Sequence, residues 1–178
     1  GNSRAALGSF VAGKLDHSGH VEHGKYEALR AAVAAAWAPL YGKNAEIAAC
    51  SVNPEADSLV EKAVAEVTGR QVQWVGPDID LPIDVLTEVP AETGVDRILN
   101  VAAAYEQMQK ACVVVDAGTA ITVDVCNDQG QFMGGAIAAG ASMMLDALHE
   151  RTARLPRASL AAPAGPIGRS TQEALRHG

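Results

Sequence analysis

Ala111-Cys112-Val113-Val114-Val115-Asp116-Ala117-Gly118-Thr119-Ala120-Ile121-Thr122-Val123-Asp124 is the stretch that decides the fold. Its first half is a short apolar run that ends at Asp and Gly, which predicts a buried strand. The alternation from Ile121 to Asp124 predicts a second strand with one face toward water. Gly118 permits a tight turn between the two strands, so the stretch is predicted to form a β-hairpin.

The turn of this hairpin carries residue types that suit phosphate binding. Gly118 lets the backbone approach a ligand, while the Thr119 hydroxyl and nearby amides can donate to anionic oxygens. Asp116 would repel a phosphate, so its expected partner is a cation beside the phosphates. The alternative is a hairpin with an ordinary Asp-Gly turn, and the motif alone favours that alternative.

Composition bounds the class of protein. The 178 residues are 48% hydrophobic, which suits one domain of ordinary size or two small lobes with a real core. A net charge of -7 and a pI near 5.1 argue against a nucleic-acid-binding surface and favour small-molecule ligands. Three cysteines predict reduced thiols, and the absence of a leader or of an apolar run of about 18 residues predicts a cytoplasmic protein without a membrane partner.

The first half of the chain alternates strand and helix patterns. The predicted elements are a strand at 4–11, a polar Gly/His-rich loop at 14–24, a helix at 26–40, a strand at 45–52, a helix at 54–68 closed by Gly69, and a strand at 72–75. His17, His20 and His23 are spaced three apart in the predicted loop. An exposed loop is favoured over a metal site there, because no carboxylate or Cys completes a ligand set nearby.

The second half follows a connector at 76–93, where Pro and Asp interrupt regular structure. Gly94-Val95-Asp96-Arg97 opens a predicted helix, and for Asp96 alone a first-turn acid is the simplest interpretation. After the hairpin, a strand is predicted at 131–137, and Gly134, Gly135 and Gly140 leave space in which a ligand or backbone can come close. A helix is predicted at 141–154 with Met143 and Met144 in the core, and a last helical stretch follows an Ala/Pro-rich linker.

The order strand-hairpin-strand-helix is predicted twice, once after Gly1-Asn2-Ser3 and once around Asp116 to Thr119, which indicates an internal duplication into two lobes. The lobes are predicted at 1–93, where the last part is connector, and at 94–178. A strand that begins at residue 4 needs a partner, because isolated strands are not stable. We therefore expect a strand before Gly1, and we expect the second lobe to continue beyond residue 178.

Four separated motifs, spread over nearly the whole chain, are considered as one set in the order in which they occur. They are Gly1-Asn2-Ser3, Gly94-Val95-Asp96-Arg97, Asp116-Ala117-Gly118-Thr119-Ala120 with Thr122 and Asp124, and Gly134-Gly135-Ala136-Ile137 followed by Thr152-Ala153-Arg154-Leu155-Pro156. In this order they resemble the motifs of the type III pantothenate kinases, in the actin-like, Hsp70-like and sugar-kinase superfamily. The resemblance implies an α/β fold with duplicated ribonuclease H-like lobes.

The resemblance also implies an activity. Members phosphorylate pantothenate with ATP to 4'-phosphopantothenate, the first step of coenzyme A biosynthesis, as cytoplasmic homodimers in which neighbouring subunits complete the substrate site. Asp96 would be the general base, and the substrate contacts would be Thr87, Gly94, Val95, Asp96, Arg97 and Thr171. Gly1, Asn2, Ser3 and Thr119 would hold the ATP phosphates, and Asp116 would bind a monovalent cation, potassium or ammonium, with magnesium accompanying ATP.

The chain departs from the family pattern at three places. The Asp expected two residues before Gly1 is absent, Thr87 stands where Tyr is common, and Ala139 stands where Pro is usual. The first departure favours an alternative, a non-catalytic relative that binds nucleotide or pantothenate as a regulatory or accessory factor. Retention of Asp96 and Asp116 favours the enzyme. Another acyl or sugar kinase of the superfamily would keep the phosphate turns but would not need Gly-x-Asp-Arg.

Overall fold

A computed structural model describes residues 4–178, so the predicted roles of Gly1, Asn2 and Ser3 lie outside the described residues. The strands are β1 (Arg4–Val11), β2 (Lys14–Glu22), β3 (Ala48–Ala49), β4 (Gln73–Trp74), β5 (Cys112–Ala117), β6 (Ala120–Cys126) and β7 (Phe132–Ala139). The helices are α1 (Tyr26–Trp37), α2 (Pro54–Thr68), α3 (Val95–Met108), α4 (Ala141–Arg151) and α5 (Thr171–His177). The mixed α/β class is confirmed.

The first half packs two helices against a β-hairpin. Leu29 and Val33 lie one turn apart on α1 and meet Ala63 and Val64 of α2, with Val21 of β2 completing the cluster. The helical periodicity predicted the four helix positions, whereas Val21 lies in the segment predicted as a loop. The α2 helix ends as predicted at Gly69, which takes the left-handed conformation with φ of 67°.

The predicted loop at 14–24 is wrong, because residues 14–22 form strand β2. It pairs antiparallel with β1 from Arg4 opposite Glu22 to Val11 opposite Lys14. The polar composition that indicated a loop reflects a two-stranded sheet with many exposed positions, where His and Ser are tolerated. The strands predicted at 45–52 and 72–75 are present only as the two-residue parallel pair of β3 and β4.

The second half packs α3 on one face of the antiparallel sheet β5-β6-β7. Ile98 and Val101 of α3 meet Cys126 and Phe132, and each of the four is at most 1% exposed. The predicted hairpin and the third strand are therefore confirmed. A helix follows a hairpin twice, as β1-β2-α1 and as β6-β7-α4.

The connector at 76–93 joins this second sheet along part of its length. Leu86 N donates to Phe132 O at 2.8 Å, and Phe132 N donates to Asp84 O at 2.9 Å. Ile83 and Val85 pack against the cluster around Phe132. Part of the connector is thus held by the second half, while the predicted lobe boundary at 93/94 stays a prediction.

Two predicted orientations are wrong. The face of β6 expected to meet water carries Asp124, which is only 1% exposed. The opposite face is apolar and exposed: Val113 pairs with Val125 and Val115 with Val123, and we call these four residues the valine face. Met143 and Met144, expected in the core, are 45% and 41% exposed because α4 turns its Leu145 side inward.

The cysteines agree with the prediction of reduced thiols. Cys50, Cys112 and Cys126 are free thiols. Across residues 4–178, no helix combines the length and the apolar composition needed to cross a membrane.

Candidate active site

The Gly94–Arg97 segment forms the first turn of α3. A Cβ placed on Gly94 would lie 2.8 Å from Asp96 Oδ1, so a larger residue there would push that carboxylate aside. Arg97 N donates to the same oxygen at 2.9 Å. The half-buried Asp96 carboxylate is therefore held in the first turn of α3 by a backbone amide.

Residues that follow β3 lie beside this turn. A Cβ on Gly94 would be 3.8 Å from Val52 Cγ1. Partial burial raises the pKa of the Cys50 thiol, and the nearby Asp96 carboxylate raises it further. The first and second halves of the chain thus meet at the start of α3, where Asp96 lies.

Asp116 lies on the same side of α3 as Asp96. Asn100, one helical turn beyond Asp96, donates from Nδ2 to Asp116 Oδ2 at 3.3 Å. Side chains four residues apart on a helix are neighbours, with Cβ atoms about 6 Å apart. Asn100 therefore connects the side of α3 that carries Asp96 with Asp116 at the end of β5.

The hairpin turn after Asp116 is pressed against the start of α4. Gly140 N donates to Thr119 O at 2.9 Å, and a Cβ on Gly140 would lie 2.5 Å from that oxygen. The Gly118 amide is used within the turn, where it donates to Ala120 O at 2.9 Å. The predicted close approach at Gly140 is therefore made by backbone.

The amino end of α4 is a feature that sequence reasoning missed. No side chain caps it, because its N-cap is Gly140. The first amides of a helix have no partner within the helix and attract anions. Since the exposed Thr119 lies against Gly140, these amides and the Thr119 hydroxyl flank one region of the surface.

Thr87 is joined to the substrate motif through the connector. Its Oγ1 lies 3.0 Å from Thr93 Oγ1, and Thr93 directly precedes Gly94. Its methyl carbon would be 3.8 Å from a Cβ on Gly134 of β7. The structure therefore places Thr87 between β7 and the start of α3.

The buried carboxylate of Asp124 holds the side chain of Arg97. Its Nε donates to Asp124 Oδ1 at 3.0 Å, and its Nη2 donates to the same oxygen. The guanidinium also lies over the Phe132 ring, 5.4 Å from its centroid. Asp124 is part of the recognised motif, but its partner is 27 residues away, so sequence reasoning gave it no role.

Thr171 is not joined to the other predicted residues by the bonds of its helix. It is the exposed first residue of α5, next to Ser170, whose Oγ accepts from Glu173 N at 3.2 Å. Near the other end of α5, Arg176 Nε donates to Ser159 O at 3.1 Å. The contacts of α5 therefore run to residues 159–170, and its predicted role stays a prediction.

The residues fit a cation shared with a ligand. Within residues 4–178, no group of three or more His, Cys, Asp or Glu is arranged to hold a metal. His17, His20 and His23 therefore do not form such a group either. Asp116 is exposed, and Asn100 bonds only one of its two oxygens. A single free carboxylate oxygen suits a cation whose remaining ligands are phosphate oxygens and water.

Comparisons with known proteins identify the family of the chain. The family model described as Type III pantothenate kinase matches residues 1–178. Proteins named type III pantothenate kinase are 44% identical over 102 residues in Rhodospirillum rubrum, 51% over 100 in Gluconobacter oxydans and 36% over 133 in Syntrophotalea carbinolica. These matches cover 57%, 56% and 75% of this chain, and 40%, 37% and 52% of the relatives, so the chain spans about half of their length.

A solved structure shares the fold. It is described as a conserved Baf family transcriptional activator from Campylobacter jejuni, with a TM-score of 0.52 and 23% identity over 99% of this chain and 69% of that one. Because the family model spans every residue, the chain belongs to the type III pantothenate kinase family.

Proposed function

We propose that the protein phosphorylates pantothenate with ATP to 4'-phosphopantothenate, the first step of coenzyme A biosynthesis. The observation that carries the proposal is that Asn100, one helical turn beyond Asp96 on α3, donates to the Asp116 carboxylate. One carboxylate is then available to an alcohol and the other to a cation at the phosphates. Family membership and the named relatives support the same activity.

In this proposal the Asp96 carboxylate accepts the proton of the pantothenate hydroxyl as that oxygen attacks the γ-phosphorus of ATP. The bond from the γ-phosphorus to the bridging oxygen breaks, and ADP leaves. Phosphoryl transfer depends chiefly on positioning and charge neutralisation, so the carboxylate needs to lie within about 3 Å of the hydroxyl. Gly94, Val95, Arg97, Thr87 and Thr171 would contact pantothenate.

The phosphates of ATP would lie at Thr119 and the amino end of α4, with Gly1, Asn2 and Ser3 contributing further contacts. Asp116 would hold potassium or ammonium, and magnesium would accompany ATP. A cation there neutralises phosphate charge when bound. The exposed Asp116 and the uncapped α4 support this assignment.

We also propose that the two halves are duplicated ribonuclease H-like lobes, at 1–93 and 94–178, and that the protein is a cytoplasmic homodimer. The hairpin and helix that occur in each half support the duplication. In the dimer, neighbouring subunits would complete the substrate site. The free cysteines agree with a reducing compartment.

The test is a coupled assay of ADP release with pantothenate, with and without potassium. Asp96→Asn is expected to lower kcat on the order of a hundredfold or more, because general-base catalysis contributes that much. The matched control is Glu106→Gln, an acid-to-amide change at an exposed position of the same helix. Equal turnover by Asp96→Asn and Glu106→Gln would show that Asp96 is not the base.

A second variant tests the cation. Asp116→Asn is expected to raise the potassium concentration needed for half-maximal turnover, because the charge that attracts the cation is removed. An unchanged potassium dependence would contradict the assignment of Asp116. Binding of both ligands by wild type without ADP release would instead indicate a non-catalytic relative.

A further inference from the structure

Asp124 is a buried acid to which neither the family motif nor the proposed mechanism gives a role. It lies on β6 with 1% of its side chain exposed, and its Oδ1 accepts from both Nε and Nη2 of Arg97. A buried carboxylate is costly unless it is paired. Its one ion-pair partner among the described residues is Arg97, which belongs to the Gly-x-Asp-Arg motif.

The surroundings of Asp124 are built to admit this pair. A Cβ on Gly135, which faces Asp124 on β7, would lie 2.6 Å from Asp124 Oδ1 and 2.1 Å from Val123 O. Glycine is therefore needed opposite the carboxylate. Phe132 covers the guanidinium from another side at 5.4 Å, so the plane of Arg97 is fixed by two contacts of different kinds.

Asp124 and Phe132 hold the Arg97 side chain, but Asp124 engages only some of its N–H donors. A guanidinium has five N–H donors in a rigid fork, and Asp124 occupies Nε–H and one Nη2–H. The Arg97 side chain keeps 16% of its surface exposed, whereas Asp124 is sealed in. Three Nη donors are left after these two bonds, and part of the Arg97 side chain, which follows Asp96 in the motif, reaches the surface.

We propose that Asp124 is the positioning residue for Arg97: it fixes the guanidinium so that its outer donors meet an oxygen of pantothenate. The proposal rests on the proposed function, in which Arg97 contacts pantothenate. Asp124 touches no substrate and acts only through Arg97. Loss of its charge should therefore weaken pantothenate binding more than it slows the chemical step.

The test is a cycle of Asp124→Asn, Arg97→Ala and the double variant in the ADP-release assay. Asp124→Asn is expected to raise the KM for pantothenate roughly tenfold to hundredfold, with kcat changed less than about threefold. In the Arg97→Ala background the same change should have no further effect on KM, because its route of action is gone. Additive effects of the two changes would overturn the proposal.

Two controls separate positioning from general damage. Val101→Ala removes packing from the buried cluster around Phe132 and is expected to lower Tm without raising the KM for pantothenate. Asp146→Asn removes an exposed carboxylate and is expected to change neither Tm nor KM. If Asp124→Asn behaves like Val101→Ala while wild type turns over, the positioning proposal fails alone. If wild type neither binds nor phosphorylates pantothenate, the proposed function is wrong, and the positioning proposal is then wrong as well.

A measurement on wild type covers the case in which Asp124→Asn does not fold. The Nε–H resonance of Arg97 should exchange slowly with water, since it donates to a buried carboxylate. Saturation with pantothenate should shift this resonance and leave that of Arg30, which pairs with Glu27 and Glu66 in the first half of the chain, unchanged. A resonance that does not move at saturating pantothenate would refute the proposal.

Discussion

Gly140→Ala tests the contact between the hairpin turn and α4. The new Cβ would lie 2.2 Å from Gly118 O and 2.5 Å from Thr119 O, so the turn must retreat by roughly 1 Å to restore van der Waals contact. The backbone at Gly140, with φ of -70° and ψ of 162°, suits alanine, so the penalty is purely steric. Overpacking of this size costs about 2 kcal/mol, which corresponds to a fall in Tm of about 6 °C in a chain of this length.

Thermal unfolding followed by circular dichroism measures the stability, and the ADP-release assay measures the effect on ATP. Because Thr119 moves with the turn, kcat/KM for ATP is expected to fall on the order of a hundredfold. The matched control for stability is Gly118→Ala, whose Cβ would have Ala120 O as its nearest neighbour at 3.9 Å. Equal Tm values for the two variants would refute the tight packing that we describe.

Three further predictions concern the rest of the chain. Both ring nitrogens of the exposed His177 contact carbonyl oxygens, of Glu173 at 2.7 Å and of Gly165 at 2.6 Å, and these bonds raise its pKa above 6.5. Protection of the α5 amides from hydrogen exchange should be full below pH 6.5 and should fall as the pH rises through the folded pKa of His177. Protection that does not depend on pH, or that is the same in His177→Gln, would contradict this prediction. In urea-induced unfolding, Gly69→Ala should lower the free energy of unfolding by about 1 kcal/mol, because alanine is strained at φ of 67°. The control Gly165→Ala, where a Cβ would meet open space, should not change it. Equal unfolding midpoints for the two variants would contradict the strain at residue 69. Phe132→Ala should cost about 3 to 5 kcal/mol in the same experiment, since the ring is fully buried, and a loss below about 1 kcal/mol would mean that the second cluster is loosely packed.

The helices could be predicted from the sequence because their signals are local. Leu29 and Val33 repeat at helical spacing on α1, and Gly69 marks the end of α2 by a property of glycine itself. Strand β2 could not be predicted in this way. Its pairing with β1 involves residues up to 18 positions apart, from Arg4 to Glu22, and its polar exposed residues carry no periodic apolar signal.

The candidate site divides along the same line. The Gly94–Arg97 motif and the Asp116 turn are short segments whose residue types indicate their chemistry, so they could be singled out from the sequence. The side of β6 that carries Asp124 could not, because a charged residue in an alternating strand normally faces water. Here the Arg97 guanidinium, from a helix 27 residues earlier, satisfies the carboxylate inside the protein and reverses the expected orientation.

The valine face carries a consequence for how the chain behaves in solution. Val113 and Val125, and Val115 and Val123, form two cross-strand pairs of branched side chains that favour the extended backbone while remaining 36% to 63% in contact with water. Threonine has the same branched shape with a hydroxyl in place of one methyl group. Exchanging the four valines for threonines should therefore keep the sheet intact and raise the saturation concentration of the chain, and a collapse of its circular dichroism would show that these methyl groups hold the strands together.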